Sequence, residues 1–542
     1  MSNDINIIGL LDSGLLSIDV HKYIRDPIHV YIPFTKIEEL IIDSEIFQRL
    51  RRIHQLQIAY TVYPGATHSR FLHSIGVMHL AGKFGLALLR SSYGLASQQI
   101  PSTTDRASFR VPSLEELGLS DKYEIISVLM AVRIGGLLHD VGHMPYSHAF
   151  DEAIISRSPS IKSKGIFSHE DTSYYIYKNF IRDKLVKSIR EHLNESNINE
   201  DTIIGCLDYI MASKHKLEKP HVPIYHIMRH VVKEFVYPAD IVDFCMRDSY
   251  FTGAVEYGRI DADRLFIFSM IVGRCERDVE KTGLHIGLLR KAVGALRAFL
   301  YSRIWLFNHV YFHKFSRLMD YTVKQLLMEM YDREVINFEE LYCSIVSGND
   351  EAIRKLEKLD DGYILYKALE SNHKKIRELA RRILYRKPHL KEVYSQEITI
   401  RFEDLEGTDR IKETFEDVIK QLKETISDIL TIDSSEIIID SPPIKFFPLN
   451  PYLPYSVFPL IDAEKHKIVA VHEANAWMIT GARITDFTIF RVLIPRDTLS
   501  RVGLPDDKLR RKISSVMTKD FMETIKKAFI VKYSKYSYEV TM

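Results

Sequence analysis

The chain has 542 residues, 46% of them hydrophobic and 27% charged, and its 73 Lys and Arg nearly balance 72 Asp and Glu for a formal charge of +1. That composition excludes a mainly disordered or fibrous chain and a globally basic nucleic-acid coat, and the length suggests about three or four domains of ~150 residues. Four cysteines without paired spacing, Cys206, Cys245, Cys275 and Cys343, argue against a disulfide framework or a Cys-built zinc knuckle and for a reducing compartment such as the cytoplasm. Histidine breaks the average: there are 22, and seven fall between His68 and His169.

The opening stretch MSNDINIIGLLDSGLLSIDVHKYIRDP scatters acids among short apolar runs, so neither a secretory leader nor a membrane span is expected. From residue 36, apolar positions recur at three- and four-residue intervals as in a helix, and Pro64-Gly65 supplies a turn. RFLHSIGVMHLAGKFGLALLR resumes the helical period from Arg70 to Arg90, whereas residues 92–118 are polar and turn-rich and read as a surface insertion or lid. The next helix starts near Asp121 and carries GGLLHDVGH toward Pro145, where it breaks. Helical segments at about 170–194, 199–213, 222–235, 238–251 and 282–330 make residues 1–330 mainly α. Charged helices with opposite signs at i,i+4 fill 331–440. Six prolines between Pro442 and Pro459 mark a linker or rigid passage, and KIVAVHE and FTIFRVLIP read as strands, so 441–542 is expected to be a smaller α/β or α+β module.

The chemistry concentrates at His139-Asp140-Val141-Gly142-His143. An adjacent His and Asp in an apolar run need partners, because an unpaired buried carboxylate carries a large desolvation cost. A divalent ion meets that need, and imidazole with carboxylate suits first-row metals in an open, water-accessible site. Gly142 and Pro145 would turn the chain and present His143 and His148 nearby. Further ligands must come from other helices; His73 in RFLHS and Asp240 in YPADIVDFCMRD are candidates.

The ordered set His73, His139-Asp140 and Asp240, within DPIH, FQRLRRIHQL, YPGATHSRFLHS, LLHDVGHMPYSHAFD, FSHE and MRDSYFTG, resembles the HD-domain metal-dependent phosphohydrolases, in particular their dNTP triphosphohydrolase branch. The resemblance runs from about residue 20 to 325 and is loose beyond 330. It implies an HD-domain helical core and a catalytic divalent ion, either a transition metal (Mn, Fe, Co, Ni or Zn) or Mg, held by His73, His139, Asp140 and Asp240, with further Mg on the bound nucleotide. The implied reaction is hydrolysis of a deoxynucleoside triphosphate to deoxynucleoside and inorganic triphosphate. By the same resemblance, His148 is the preferred proton-transfer group, Asp151 and His169 form its supporting acid/base pair, and His143 faces phosphate. Arg70, Arg303, Tyr311 and Lys314 would hold phosphate and sugar. Gln55 and Leu56 would crowd the 2′ position of the sugar, and Asp248 would meet its 3′-hydroxyl. Where the family often has Asp-Tyr, this chain has Asp243-Phe244, which keeps an aromatic wall and loses a hydroxyl. Lys22, Asp43 and Arg51 match positions that recognise an activating guanine nucleotide at a subunit boundary, so a GTP or dNTP activator and a homo-oligomer are implied.

Plainer readings stand beside these. The histidines could complete a buried polar network, Gln55 could be a structural hydrogen-bonder, Arg70 could pair at a helix end, and Asp248 could pair with Arg247. Two other functions compete: a phosphomonoesterase acting on deoxynucleoside monophosphates with the same metal quartet, and a nucleic-acid-binding or assembly protein that keeps the core for structure. The basic run Arg381, Arg382, Arg386, Lys387 and Lys391 is the local feature in favour of the last.

Overall fold

The computed structural model describes residues 20–95, 99–100, 107–193, 198–218, 220–276, 283–401, 404, 414–445, 458–462, 467–471 and 484–539. They fall into two units, one comprising residues up to Ser302 with Lys324–Arg377 and Phe458–Ala470, the other Arg303–Val323, Glu378–Val457 and the chain from Val471 onward.

In the first unit an antiparallel hairpin pairs Lys22–Asp26 with Val30–Phe34. Asp26 closes its turn by accepting from the backbone N–H groups of Ile28 and His29, both at 2.8 Å. A capping box between Thr35 and Glu38 then starts the helix Lys36–Ile42. The core is built on the helices Arg70–Leu95 and Lys122–Leu138. Asp121 begins the second by accepting from Tyr123 N–H and Glu124 N–H, and every residue from Ser127 to Leu138 is buried, as befits a helix apolar on all sides. The one charge in that stretch, Arg133, is neutralised by two bonds to Glu38, at 2.6 and 2.9 Å. Arg70–Ser91 is long and apolar enough to cross a membrane by length and composition; 72% of its most apolar window is buried within the protein, as in a core helix.

Four differences from expectation are informative. The helix expected to end at Arg90 runs to Leu95. The stretch 92–118 supplies the strands Gln99–Ile100 and Ala107–Arg110, which join Ser269–Glu276, Leu284–Leu289, Phe458–Asp462 and Lys467–Val471 in one six-stranded sheet. Two of those strands fall in the region read as helical, because apolar runs as short as SMIV and IGLL carry no period that separates strand from helix. Finally, the helix before the His-Asp pair stops at Leu138, ahead of Pro145, so HDVGH forms a turn beyond the helix rather than its last turn.

The second unit is built on a long antiparallel pair, Leu390–Arg401 with Ile484–Pro495, extended by Ile438–Asp440 and Pro443–Lys445. Leu390–Arg401 lies in the stretch expected to be charged helix; its alternating EITIR was masked by helical neighbours on both sides. Helices Phe415–Leu430, Asp506–Val516 and Lys519–Glu539 cover the sheet, with Ile398, Val418, Leu422, Phe490 and Ile525 in the shared core. Asp440 is buried between Arg317 at 2.7 Å and Arg491 at 3.0 Å. Of the proline-rich passage and the KIVAVHE segment, residues 446–457 and 472–483 lie outside the described residues.

One close approach carries the first unit's core. A Cβ at Gly76, on the helix Arg70–Leu95, would overlap the side chains of Asp243 and Arg247. Gly76→Ala is therefore expected to push that buried pair apart and destabilise the protein by about 3 kcal/mol or more, seen as a lowered thermal midpoint.

Candidate metal and phosphate site

Three segments of the first unit converge. The first turn of the helix Arg70–Leu95 supplies Arg70 and His73, the turn after Leu138 supplies His139, Asp140 and His143, and the helix Ala239–Thr252 supplies Asp240 from its own first turn. His73 Nε2 lies 3.1 Å from Asp240 Oδ1, and His139 Nε2 lies 3.7 Å from the same oxygen and 3.5 Å from Asp140 Oδ1. His73, His139 and Asp240 thus offer ligand atoms within 4.8 Å of one another.

The second nitrogen of each imidazole decides what the first can do. His139 Nδ1–H donates to the Gly136 carbonyl at 2.7 Å, which leaves Nε2 bare, buried and without a hydrogen-bond partner. His73 Nδ1–H donates to Asp243 Oδ2 at 2.9 Å, so its Nε2 also faces the cluster. Burial alone would lower the His73 pKa, but Asp240 and Asp243 outweigh it and raise it to about 9. Burial likewise opposes ionisation of Asp240, and His139 and His73 hold its carboxyl below the usual range. A proton shared between His73 and Asp240 thus occupies the position a cation would take. Imidazole Nε2 atoms oriented through their far sides, beside carboxylates, fit a divalent ion, which would displace that proton.

Residues with no role assigned from the sequence hold these ligands. Asp243 is fully buried and accepts from His73, from His29 Nε2 at 2.6 Å and from Arg247 Nε at 2.8 Å; Arg247 in turn donates to Asp26 at 2.8 Å. Arg49 is also wholly buried, and its guanidinium clamps the HDVGH turn by donating to Val141 O and His143 O, both at 2.8 Å. Burial brings its pKa down only to about 10, so it stays charged. At Gly142 a Cβ would overlap the Ser173 backbone, and the Gly142 N–H instead donates to Ser173 Oγ at 2.8 Å. The signal was present as DPIH and FQRLRR, but partners about 90 to 220 positions away are invisible to periodicity.

Beside the ligands stands a second group, His143, His148 and His169. His169 stacks on His143 with ring centroids 3.7 Å apart, and His169 Nδ1–H donates to Asp151 Oδ2 at 2.6 Å. Burial works against the imidazolium of His169, yet Asp151 raises its pKa. Burial, then Arg70, holds His143 well below its ordinary value. The packed surroundings, then His169 and Arg70, lower His148 as well, although its ring is open to solvent and the desolvation part is correspondingly smaller. Asp151 thus favours the imidazolium at His169, while burial, His169 and Arg70 disfavour it at His148. Arg70 pairs with Asp140 and donates to Ser147 Oγ at 3.1 Å, which realises the ion pair foreseen for it. Gln55 is held near Arg70 by backbone bonds to the 68–70 segment, with its side-chain oxygen buried and unpartnered, and Leu56 is half-buried beside it. Asp248 pairs with His68 at 2.7 Å, and Arg247, one of the plainer partners considered for it, pairs with Asp243 and Asp26. Phe244 is half-buried on the same helix.

The remaining candidates lie elsewhere. Lys22 and Arg51 are both electrostatically coupled to Asp43; Lys22 also pairs with Glu39, and Arg51 stacks over Phe71 at 3.5 Å. Arg303, Tyr311 and Lys314 belong to the second unit. Arg303 lies over the Phe307 ring at 5.0 Å, Tyr311 packs edge-on against that ring at 4.9 Å, and Lys314 pairs with Glu392 at 3.1 Å. A separate cavity of about 620 Å³, lined among others by Tyr174, Arg182 and Tyr225, contains none of the predicted site residues.

Asp243→Asn is expected to weaken divalent-ion binding by about 10- to 100-fold, because the His73 ring loses the carboxylate that orients it. Isothermal titration of the metal-free protein with Mn²⁺ or Co²⁺ checks this.

Residues 114–230 match the family model of the HD domain and residues 274–449 that of the HD associated region. The chain is 30% identical over 335 residues to the deoxynucleoside triphosphate triphosphohydrolase SAMHD1 of Mus musculus, covering 58% of this chain and 44% of that one. With the Homo sapiens SAMHD1 the identity is 29% over 357 residues, covering 64% and 49%. An uncharacterized protein of Methanocaldococcus jannaschii is 26% identical over 345 residues, covering 64% and 56%. The chain spans about half the length of the curated relatives it matches. A crystal structure of a hypothetical protein from Aquifex aeolicus shares the fold, with a TM-score of 0.59 at 22% identity over 91% of this chain and 99% of that one. The His-Asp turn lies inside the segment that matches the HD-domain model, and the chain resembles in sequence the SAMHD1 triphosphohydrolases.

Proposed function

We propose that the protein is a divalent-metal-dependent phosphohydrolase that converts deoxynucleoside triphosphates to deoxynucleosides and inorganic triphosphate. The observation that carries this reading is the convergence of the Nε2 atoms of His73 and His139 with the Asp240 carboxylate, with Asp140 Oδ1 3.5 Å from His139 Nε2, beside the His143, His148 and His169 cluster. A divalent ion held by that quartet would supply Lewis-acid polarisation of the phosphoryl group.

The chain's own residues account for the rest. Attack of water on the α-phosphorus forms one P–O bond and breaks the bond to the sugar 5′-oxygen, which must gain a proton. His169, kept protonated by Asp151, is the reservoir for that proton, and the exposed His148, whose ring lies 5.2 Å from that of His169, passes it to the leaving oxygen. Triphosphate competes with Asp140 for the Arg70 guanidinium and draws it onto phosphate. The buried Gln55 oxygen accepts from the sugar, and Leu56 leaves little room for a 2′-hydroxyl. Asp248, oriented by His68, faces the 3′-hydroxyl. The exposed Lys22, Asp43 and Arg51 group is assigned to an activating guanine nucleotide within a homo-oligomer.

The nucleic-acid reading loses support because its basic run is largely engaged: Arg382 pairs with Asp497 at 3.3 Å, Lys391 with Asp506 at 2.6 Å, and Arg386 stacks over Phe315 at 4.1 Å.

Incubating metal-loaded protein with each dNTP and NTP, with and without GTP, and identifying every phosphate product tests the proposal. Inorganic triphosphate from dNTPs, abolished by Asp140→Ala in folded protein, is expected. Orthophosphate from deoxynucleoside monophosphates with no triphosphate release assigns the phosphomonoesterase reading instead. His169→Gln is expected to lower kcat by roughly 10²- to 10⁴-fold with KM little changed, in steady-state kinetics across dNTP concentration.

A further inference from the structure

Asp361 opens the helix Asp361–Leu369 and is buried, 6% exposed, far in sequence from every site residue of the first unit. Its carboxylate nevertheless takes three hydrogen bonds from two segments that border the site. Oδ1 accepts from the Tyr146 backbone N–H at 2.7 Å; Oδ2 accepts from the His54 backbone N–H at 2.9 Å and from His54 Nδ1–H at 2.7 Å. The Asp361 carbonyl accepts from the Tyr146 hydroxyl at 3.2 Å. Next to it Asp360 caps the same helix through the Tyr363 N–H at 2.9 Å and pairs with Arg52 at 2.6 Å.

The two segments it holds are not ordinary backbone. Tyr146 and Ser147 are consecutive non-glycine residues at φ +59° and +49°, a conformation that costs free energy and persists only where the surroundings over-determine it. They immediately precede His148, and Ser147 Oγ receives Arg70. His54 immediately precedes Gln55 and Leu56. One side chain therefore sets both the turn that presents the proton-transfer histidine and the loop that meets the sugar.

We propose that Asp361 is a positioning residue that couples proton transfer at His148 to sugar recognition at Gln55 and Leu56; this rests on the phosphohydrolase reading above. Asparagine keeps the shape but exchanges one acceptor oxygen for a donor, so it cannot satisfy three N–H groups, and one segment must release.

The test compares full-length wild type, Asp361→Asn and Ile364→Ala, the last a wholly buried position on the same helix away from the clamp. For Asp361→Asn, kcat on dNTP falls at least tenfold, the dNTP-to-NTP ratio of kcat/KM falls at least fivefold, and the pH profile of kcat shifts. Ile364→Ala lowers the thermal midpoint and leaves the ratio and the profile of the folded fraction unchanged. Wild-type values of kcat and of the ratio in Asp361→Asn, or changes matching those of Ile364→Ala, overturn the proposal. A wild type that hydrolyses no dNTP sinks the functional reading instead; the crystal structure of Asp361→Asn then decides, with relaxation of Tyr146 and Ser147 from positive φ expected, and an unmoved turn and His148 overturning it.

Discussion

The site depends on one buried carboxylate, Asp243, which has no exposure to solvent and takes His73, His29 and Arg247 as partners. Removing a carboxylate from water costs several kcal/mol, offset only when the partners are close and well oriented. Those partners come from the N-terminal hairpin region, the helix Arg70–Leu95 and Asp243's own helix, so satisfying the charge fixes where the three meet. Gly76 lets the helices approach closely enough for it. The same hydrogen bond that satisfies Asp243 turns His73 Nε2 toward Asp240 and His139.

From that constraint the site divides into two halves that share Asp140 and Arg70. On one side, the His73 and His139 rings are locked with their Nε2 atoms inward by Asp243 and by the Gly136 carbonyl. On the other, burial and then Arg70 hold His143 well below its ordinary value, while Asp151 raises that of His169 against the effect of burial. The near-zero net charge of the chain does not exclude an anionic ligand, because buried Arg70 places a guanidinium between Asp140 and Ser147 at this site.

The mainly α character, the His-Asp pair and the helix placing His73 were legible, because imidazole and carboxylate inside apolar runs are conspicuous when neighbours in sequence carry them. Arg49, Asp26, His29 and Asp361 were not assigned roles, since each acts on a partner about 90 to 300 positions away and looks, on its own segment, like one more polar residue. The partner of Asp248 was hidden for the same reason: Arg247 is adjacent in sequence but pairs with Asp243, while His68, 180 positions earlier, is adjacent in space. The strand Leu390–Arg401 was lost among charged helices, and its register against Ile484–Pro495 is set by pairing that local pattern does not contain.

The most direct measurement is anomalous diffraction from crystals loaded with Mn²⁺ or Co²⁺. The account predicts a peak bounded by His73, His139, Asp140 and Asp240. A peak confined to the His143, His148 and His169 group, or none in saturated protein, would contradict it.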